Sequence, residues 1–432
     1  MKILHASDLH YSPSNLVEAD RCFGHAVEQA IARNVDVALI TGDSTDHALD
    51  GHSPALLALA KRIKQLADHC PVFLLQGTFS HEPVGLLKML EMIGAHHPII
   101  VSDTIGMIGL AGGKWIEYNP TYTDVQYDLV ITSVPTVNKA ELALVVGADN
   151  AGIEMGNHLA ALFRLFGPAN AALRSKGIPT VLASHGTVDG SLNESGVPMA
   201  GLDHEFSLGA LFSANTCATM LGHIHMHQQW TREHDGRIQR IAYPGSIGRY
   251  HYGELGEKYC LIWEVTEDTA EFTPVQTPSK RMIEIAFEGV PNLEQLATVA
   301  EQCRDAFVRV RYSVDEEFVR TVDRKAIKQI LGLAAEVKIE GEVLTIQRQR
   351  CAGISTLTSV EERFMKWCEF TDTPTNGLAE RLSMLQTMAP EDIASAFALT
   401  NKRTGLSAPK LSGQPNRQIN QETELERQEF GS

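Results

Sequence analysis

Short apolar runs of strand length alternate with amphipathic stretches of helical period from residue 1 to about 265. The first run, Lys2-Ile3-Leu4-His5-Ala6, breaks off at Ser7-Asp8-Leu9-His10. Asp20 to Ala32 has the pattern of a helix, and Val35 to Ile40 is a buried strand that ends at Thr41-Gly42-Asp43. Ser53 to Asp68 reads as a helix with Ser53 as N-cap and Pro54 in its first turn. Val72 to Leu75 is a strand ending at Gln76-Gly77, and Pro83 to Ile93 a further helix. Strands are predicted over Ile99–Ser102, Met107–Leu110, Leu129–Ser133, Thr180–Ala183, Ala218–Leu221, Arg237–Ala242 and Tyr259–Val265. A helix spans Gly152 to Ser175, with a break at Gly167-Pro168.

The pattern changes after Thr273-Pro274 and Thr277-Pro278, which punctuate a polar stretch and mark a linker. A catalytic-size domain over 1–270 is therefore followed by a smaller α+β unit over 281–350. Val308-Arg309-Val310-Arg311-Tyr312 alternates strictly, as in a strand with one wet face. Glu316 to Ala334 reads as one helix, and Val337 to Ile346 as a hairpin around Glu340-Gly341-Glu342. Two amphipathic helices follow within 356–400, one carrying Val360, Phe364 and Trp367, the other Leu378, Leu382 and Leu385. Residues 402–432 are polar and aperiodic, the composition of a disordered tail.

At 432 residues the chain is long enough for two or three domains, and 44% apolar residues support a sizeable core. The net charge of −16, from 53 acidic against 37 basic residues, repels nucleic acid on average. Binding DNA would require a local basic groove or a partner. The seven Cys are dispersed without a Cys-x-x-Cys, as in a chain of reduced cytoplasmic thiols. The N-terminus enters a strand with no signal peptide, and no apolar run is long enough to span a bilayer, so no membrane role is expected.

Chemistry collects at the strand ends. In extended backbone residues i and i+2 point to one side, so Asp8 and His10 can aim at one spot beyond the first strand. That edge is where ligands bind in open α/β sheets. An oxygen donor paired with an imidazole nitrogen suits Mn, Fe or Zn better than Ca. Asp43, the Ser80-His81-Glu82 turn, His185, and then His223 and His225 follow at four further strand ends. Single histidines such as His69, His96, His158 or His234 are ordinary surface or core residues. A set delivered to one edge by five strands points instead to a metal site. Asp43, alone at its strand end, is the natural carboxylate to be shared between two cations.

Asp8-Leu9-His10, Gly42-Asp43, Ser80-His81-Glu82, His185 and Gly222-His223-Ile224-His225 resemble, in this order, the motifs of the calcineurin-like metallophosphoesterases. The resemblance covers residues 1 to about 265. It implies an α/β sandwich, two β-sheets face to face with helices outside, and a two-metal phosphodiesterase centre. One metal would take Asp8, His10, Asp43 and His225; the other would take Asp43, the residue at Ser80, His185 and His223. His81 would be the catalytic residue that stabilises the transition state or protonates the leaving oxygen, its plainer role being to cap the helix at Pro83. The family's Gly-Asn-His is here Gly77-Thr78-Phe79-Ser80-His81, two residues longer and lacking the Asn. Ser80, or else Thr78, would offer a hydroxyl in its place, a weaker ligand.

Gly222-His223-Ile224-His225 followed by Tyr243-Pro244-Gly245-Ser246 is similar to the SbcD-type exonuclease subunits. That resemblance implies two divalent ions, Mn foremost with Mg, Fe or Zn as alternatives, and DNA duplex ends or hairpins as substrate. It also implies a capping domain, C-terminal helices docked on an SbcC-like ATPase, and a homodimer. The stripes Leu56, Leu59, Ile63, Leu66 and Leu86, Leu90, Ile93 are core faces or, by the resemblance, a dimer bundle. Two other functions compete: a phosphodiesterase for a small molecule such as a cyclic nucleotide, and a DNA-end or partner-binding module without activity.

Overall fold

The computed structural model describes residues 1–47, 49–122, 124–136, 151–194, 196–199, 205–234, 236–344, 351 and 353–396. Eighteen strands alternate with helices among them. The first sheet has the order β15-β14-β1-β2-β3-β4. Its members are β1 (Lys2–Ala6), β2 (Val37–Ile40), β3 (Val72–Leu75), β4 (Ile99–Ser102), β14 (Tyr259–Val265) and β15 (Ala270–Gln276). The second has the order β12-β13-β11-β8-β7-β5-β6. It is built from β5 (Gly106–Ala111), β6 (Lys114–Glu117), β7 (Leu129–Val134), β8 (Thr180–His185), β11 (Ala218–Gly222), β12 (Gln228–His234) and β13 (Arg237–Tyr243). A two-stranded pair joins β9 (Thr187–Val188) to β10 (Glu205–Phe206).

Side-chain alternation sets the layers. Ile3, Val37, Leu39, Phe73 and Leu75 of the first sheet share one core with Leu129, Ile131, Val181, Ala183 and Met220 of the second. The two sheets therefore pack face to face. The opposite face of the first sheet, with Leu4, Ala38, Ile40, Val72 and Leu74, is covered by helices α1 (Leu16–Ala32) and α2 (Pro54–Ala67). The outer face of the second packs Leu182, Leu221 and Ile241 against Phe163 and Leu211, from the 151–175 and 208–213 helices. The result is an α/β sandwich of two sheets flanked by helices. β1, β2, β3 and β4 run parallel, as do β7, β8, β11 and β13. The carboxyl ends of β1, β2, β3, β8 and β11 carry the expected site residues.

Several elements differ from the sequence pattern for local reasons. Pro83–Ile93 is reduced to a 3-10 turn over Leu87–Met92, because Gly85 takes a φ of +85° and turns the chain first. The 151–175 helix runs through Pro168 without ending. Thr273-Pro274 lies within β15, an edge strand, where a missing N–H is tolerated. The Leu59, Ile63 and Leu66 stripe of α2 is fully buried in the chain's own core, as is Leu90 at the 3-10 turn.

Residues 282–344 form a three-stranded parallel sheet, β16 (Met282–Glu288), β17 (Phe307–Asp315) and β18 (Glu336–Leu344), in that order. Val308, Val310, Leu296, Ile327 and Leu331 make its core with two short helices. The helix foreseen over Glu316–Ala334 splits, because Asp323 accepts from Lys325 and Ala326 N–H and caps a new helix over Arg324–Ile330. The hairpin foreseen around Gly341 is instead continuous strand to Leu344, its last two residues, 345 and 346, lying outside the described residues. Gly341 stands opposite Tyr312 in register, and a Cβ there would collide with the phenol ring. Gly341→Ala is expected to cost about 1–3 kcal/mol by overpacking; the midpoint of urea unfolding followed by circular dichroism measures it.

This region and the sandwich belong to one compact unit, Met1–Leu344. Glu18 of α1 accepts from the Arg249 and Lys280 N–H groups at 3.1 and 2.8 Å, and Tyr252 donates to Glu336 at 2.7 Å. The second unit, Thr345–Ser432, contains helices over Val360–Thr371 and Leu378–Thr387. Ser359 and Glu362 form a capping box at the start of the first. Val360, Met365, Trp367, Phe370 and Leu385 are exposed. The tail over 402–432 lies outside the described residues.

Candidate metal centre

The loops leaving β1 and β2 stay zipped beyond the sheet. Asp8 N–H donates to Gly42 O at 3.1 Å, His10 N–H to Asp43 O at 3.0 Å and Tyr11 N–H to Ser44 O at 3.1 Å. This fixes Asp8, His10 and Asp43 on one wall. His223 N–H donates to both oxygens of Asp8 at 3.1 Å, tying the loop after β11 in the second sheet to the first. Close approach demands glycine: a Cβ on Gly222 would run into Thr41 O and Ser7 Oγ, and one on Gly42 into the His185 ring.

Six of the expected residues meet as two adjoining triads. Asp8, His10 and His225 form one; Asp43, His185 and His223 form the other. Within each, the ligand atoms lie within 4.8 Å of one another. Asp8, His10, Asp43 and His185 are buried. His10 Nε2 stands 3.0 Å from His225 Nε2, and His185 Nε2 3.3 Å from Asp43 Oδ2. Asp8, His10, Asp43 and His223 all hold left-handed backbone, with φ of +51°, +48°, +53° and +105°. Non-glycine residues adopt this conformation at a cost, and such residues cluster at functional sites. Carboxylate and imidazole donors in this mixture, converging and half strained, fit two divalent transition cations.

Buried partners orient the imidazoles. His185 Nδ1 bonds to Thr41 O at 2.8 Å, which turns Nε2 toward Asp43. His225 Nδ1 meets Glu254 Oε1 at 3.0 Å, which turns Nε2 toward His10. Burial holds His10 and His223 neutral down to about pH 4. For His185 burial opposes the charge, but Asp43 outweighs it and raises the group to about 10. Burial likewise disfavours the Asp43 carboxylate, yet His185 and His81 hold it well below the ordinary range.

His81 Nδ1 lies 2.9 Å from Asp43 Oδ2, and its ring is partly exposed at the mouth, an edge contact from His10 at 4.9 Å between centroids. Its hydrogen bond to Asp43 makes it easier to protonate, against the effect of burial. Ser80 is exposed and has no described contact with either triad. The hydroxyl at that place belongs to Thr78. Thr78 N–H donates to Asp43 Oδ1 at 2.7 Å, and its Oγ1 lies 3.2 Å from Asp43 Oδ2 and 3.3 Å from His185 Nε2. The hydroxyl that faces the Asp43 triad is thus that of Thr78 rather than Ser80. Thr78→Asn is therefore expected to lower the Mn concentration for half-maximal activity, because an amide oxygen is the better donor. Ser80→Asn should leave the Mn titration unchanged, and a shift with Ser80 alone would reverse the assignment.

Two buried carboxylates have a part that the sequence analysis did not assign, Glu82 within the quoted Ser80-His81-Glu82 turn and Glu254 outside any motif. Glu82 accepts from the Ser44 and Gly77 N–H groups and so pins the loop of Asp43 to that of Thr78. Burial, with Asp43 beside it, raises its carboxyl to about 7. Glu254 sits behind His225. The motif position of Glu82, directly after His81, was a signal for it; Glu254 carried none.

No protein-family model and no curated protein matches the chain. Among solved structures it is similar to a dimetal phosphatase from Danio rerio, with 10% identity and a TM-score of 0.39, over 63% of this chain and 98% of that one. No described helix is long and apolar enough to cross a membrane.

Proposed function

We propose that the chain is a metal-dependent phosphodiesterase and, more finely, the nuclease subunit of a DNA-end-processing complex with an SbcC-like ATPase. The observation that carries the first part is the pair of adjoining triads at the carboxyl ends of four strands, β1, β2, β8 and β11. When bound, two divalent cations supply charge stabilisation of a phosphoryl group and activation of water. Asp8, His10 and His225 would hold one; His185, His223 and Thr78 the other, with Asp43 between them. His81, partly exposed and anchored on Asp43, is placed to donate a proton to a leaving oxygen.

The DNA reading is supported by the 282–344 region. There Arg324, Lys325, Lys328 and Lys338 line one groove, a local basic surface on a chain of net charge −16. Phosphate backbone is the polyanion such a groove suits. The resemblance to SbcD-type subunits supports a cytoplasmic protein, homodimerisation and docking of the ATPase by the C-terminal helices, on which Val360, Met365, Trp367, Phe370 and Leu385 are exposed. The donor types suit Mn, Fe or Zn, and the SbcD-type resemblance puts Mn first among them. The deciding experiment is a Mn-dependent cleavage assay on linear duplex DNA, hairpin DNA and a cyclic nucleotide, with and without a co-expressed ATPase. Cleavage of both DNA forms, weakened by Lys325→Glu with Lys328→Glu, is the expected result. Turnover of the cyclic nucleotide alone would favour the small-molecule reading.

A further inference from the structure

The carboxylate behind the His225 ring takes no direct part in the chemistry proposed above. Glu254 is fully buried, on the loop between β13 and β14. Its Oε1 lies 3.0 Å from both His225 Nδ1 and His251 Nε2. Its Oε2 lies 3.0 Å from Lys258 Nζ and accepts from the Tyr250 N–H at 3.2 Å. Lys258 donates in turn to the His225 carbonyl at 3.0 Å and to Ser246 Oγ at 2.6 Å. Both the ring and the backbone of His225 are thereby gripped by one charged pair. On the neighbouring triad the corresponding grip on His185 comes from a backbone carbonyl, Thr41 O.

We propose that Glu254 is the positioning residue of the Asp8–His10–His225 triad. Its carboxylate accepts the Nδ1 proton of His225, fixes the tautomer in which Nε2 is bare, and aims that nitrogen at His10 and Asp8. This rests on the reading of the triads as a metal centre. A buried carboxylate behind a ligating imidazole sets ring orientation and raises ligand basicity. Glu194, His225, His251 and Glu254 also stand close enough to be taken for a cation site of their own. Lys258 argues against that, because its ammonium already occupies the Glu254 carboxylate. So does His225, whose Nδ1 would have to give up its proton while Nε2 serves the other site.

The test is calorimetric titration of the metal-free full-length protein with MnCl2, together with histidine-labelled NMR of the His225 Nδ1–H resonance. Wild type is expected to bind two ions. Glu254→Gln should weaken one of them about 10- to 100-fold, leave the other unchanged and move or broaden the Nδ1–H signal. Glu254→Asp, a methylene short, should not restore binding. If the single variant fails to fold, Glu254→Gln with Lys258→Met removes the stranded ammonium and carries the same measurement. Two unchanged sites in the variant would overturn the positioning role while the metal centre stands. Three ions in wild type falling to two in the variant would make Glu254 a ligand. No ion in wild type would overturn the functional reading itself, and the positioning role with it.

Discussion

Asp43→Asn should reduce metal-dependent phosphodiester cleavage to background while leaving the fold intact. Asp43 is 2% exposed and is the only carboxylate in its triad. One oxygen faces His81 at 2.9 Å and His185 at 3.3 Å, and the other takes the Thr78 N–H at 2.7 Å. Placed between the triads, it is the charge that would let two cations sit close together, and its removal would leave their repulsion uncompensated. Asn is the substitution to make, because φ is +53° and Asn tolerates left-handed backbone better than Ala. It also keeps an acceptor for the Thr78 N–H. Mn content and cleavage rate, with circular dichroism as the fold control, decide the matter. Mn-dependent activity retained in this variant would end the two-metal reading.

His81→Ala should retain both metals and lose about 10²–10⁴ of the rate, the ordinary contribution of a general acid. His81 meets the centre through its bond to Asp43 and an edge contact with His10, and its ring is partly exposed, where a leaving group would depart. Its loss opens no core cavity, since the side chain is partly exposed. Thr45 Oγ1 donates to the backbone oxygen of His81 at 2.7 Å and would hold the loop in the variant. Single-turnover rate and Mn stoichiometry, measured on one preparation, separate the possibilities. Loss of an ion together with the rate would make His81 a ligand.

The triads were legible because strand chemistry is local. A period of two brings Asp8 and His10 to one side, and each remaining triad residue follows closely on an apolar run. What the residues did not reveal was where a loop spends its extra length. Thr78 and Ser80 both offer a hydroxyl near His81, and it is the folded loop, with Thr78 bonded to Asp43 and Ser80 exposed, that separates them. Glu254 was invisible because it comes 29 residues after His225, in no motif, and matters only once the loop folds back. In the 282–344 region Glu340-Gly341-Glu342 carries a turn composition. The glycine is required there by the ring of Tyr312 across the strand, so packing overrode the local signal. The split after Thr321 has its cause in Asp323, a helix cap placed in the middle of an apolar period.

The left-handed backbone of Asp8, His10, Asp43 and His223 has a consequence for how such a chain drifts. Residues held in that region cost on the order of 1–3 kcal/mol each, least for Asp. Glycine at these four positions would relax the backbone and remove the donor in one step. Laboratory evolution under heat alone, with no demand for activity, should therefore accumulate such replacements here before it touches the sandwich core. Selection that includes turnover should keep all four unchanged, at a standing cost in thermal stability.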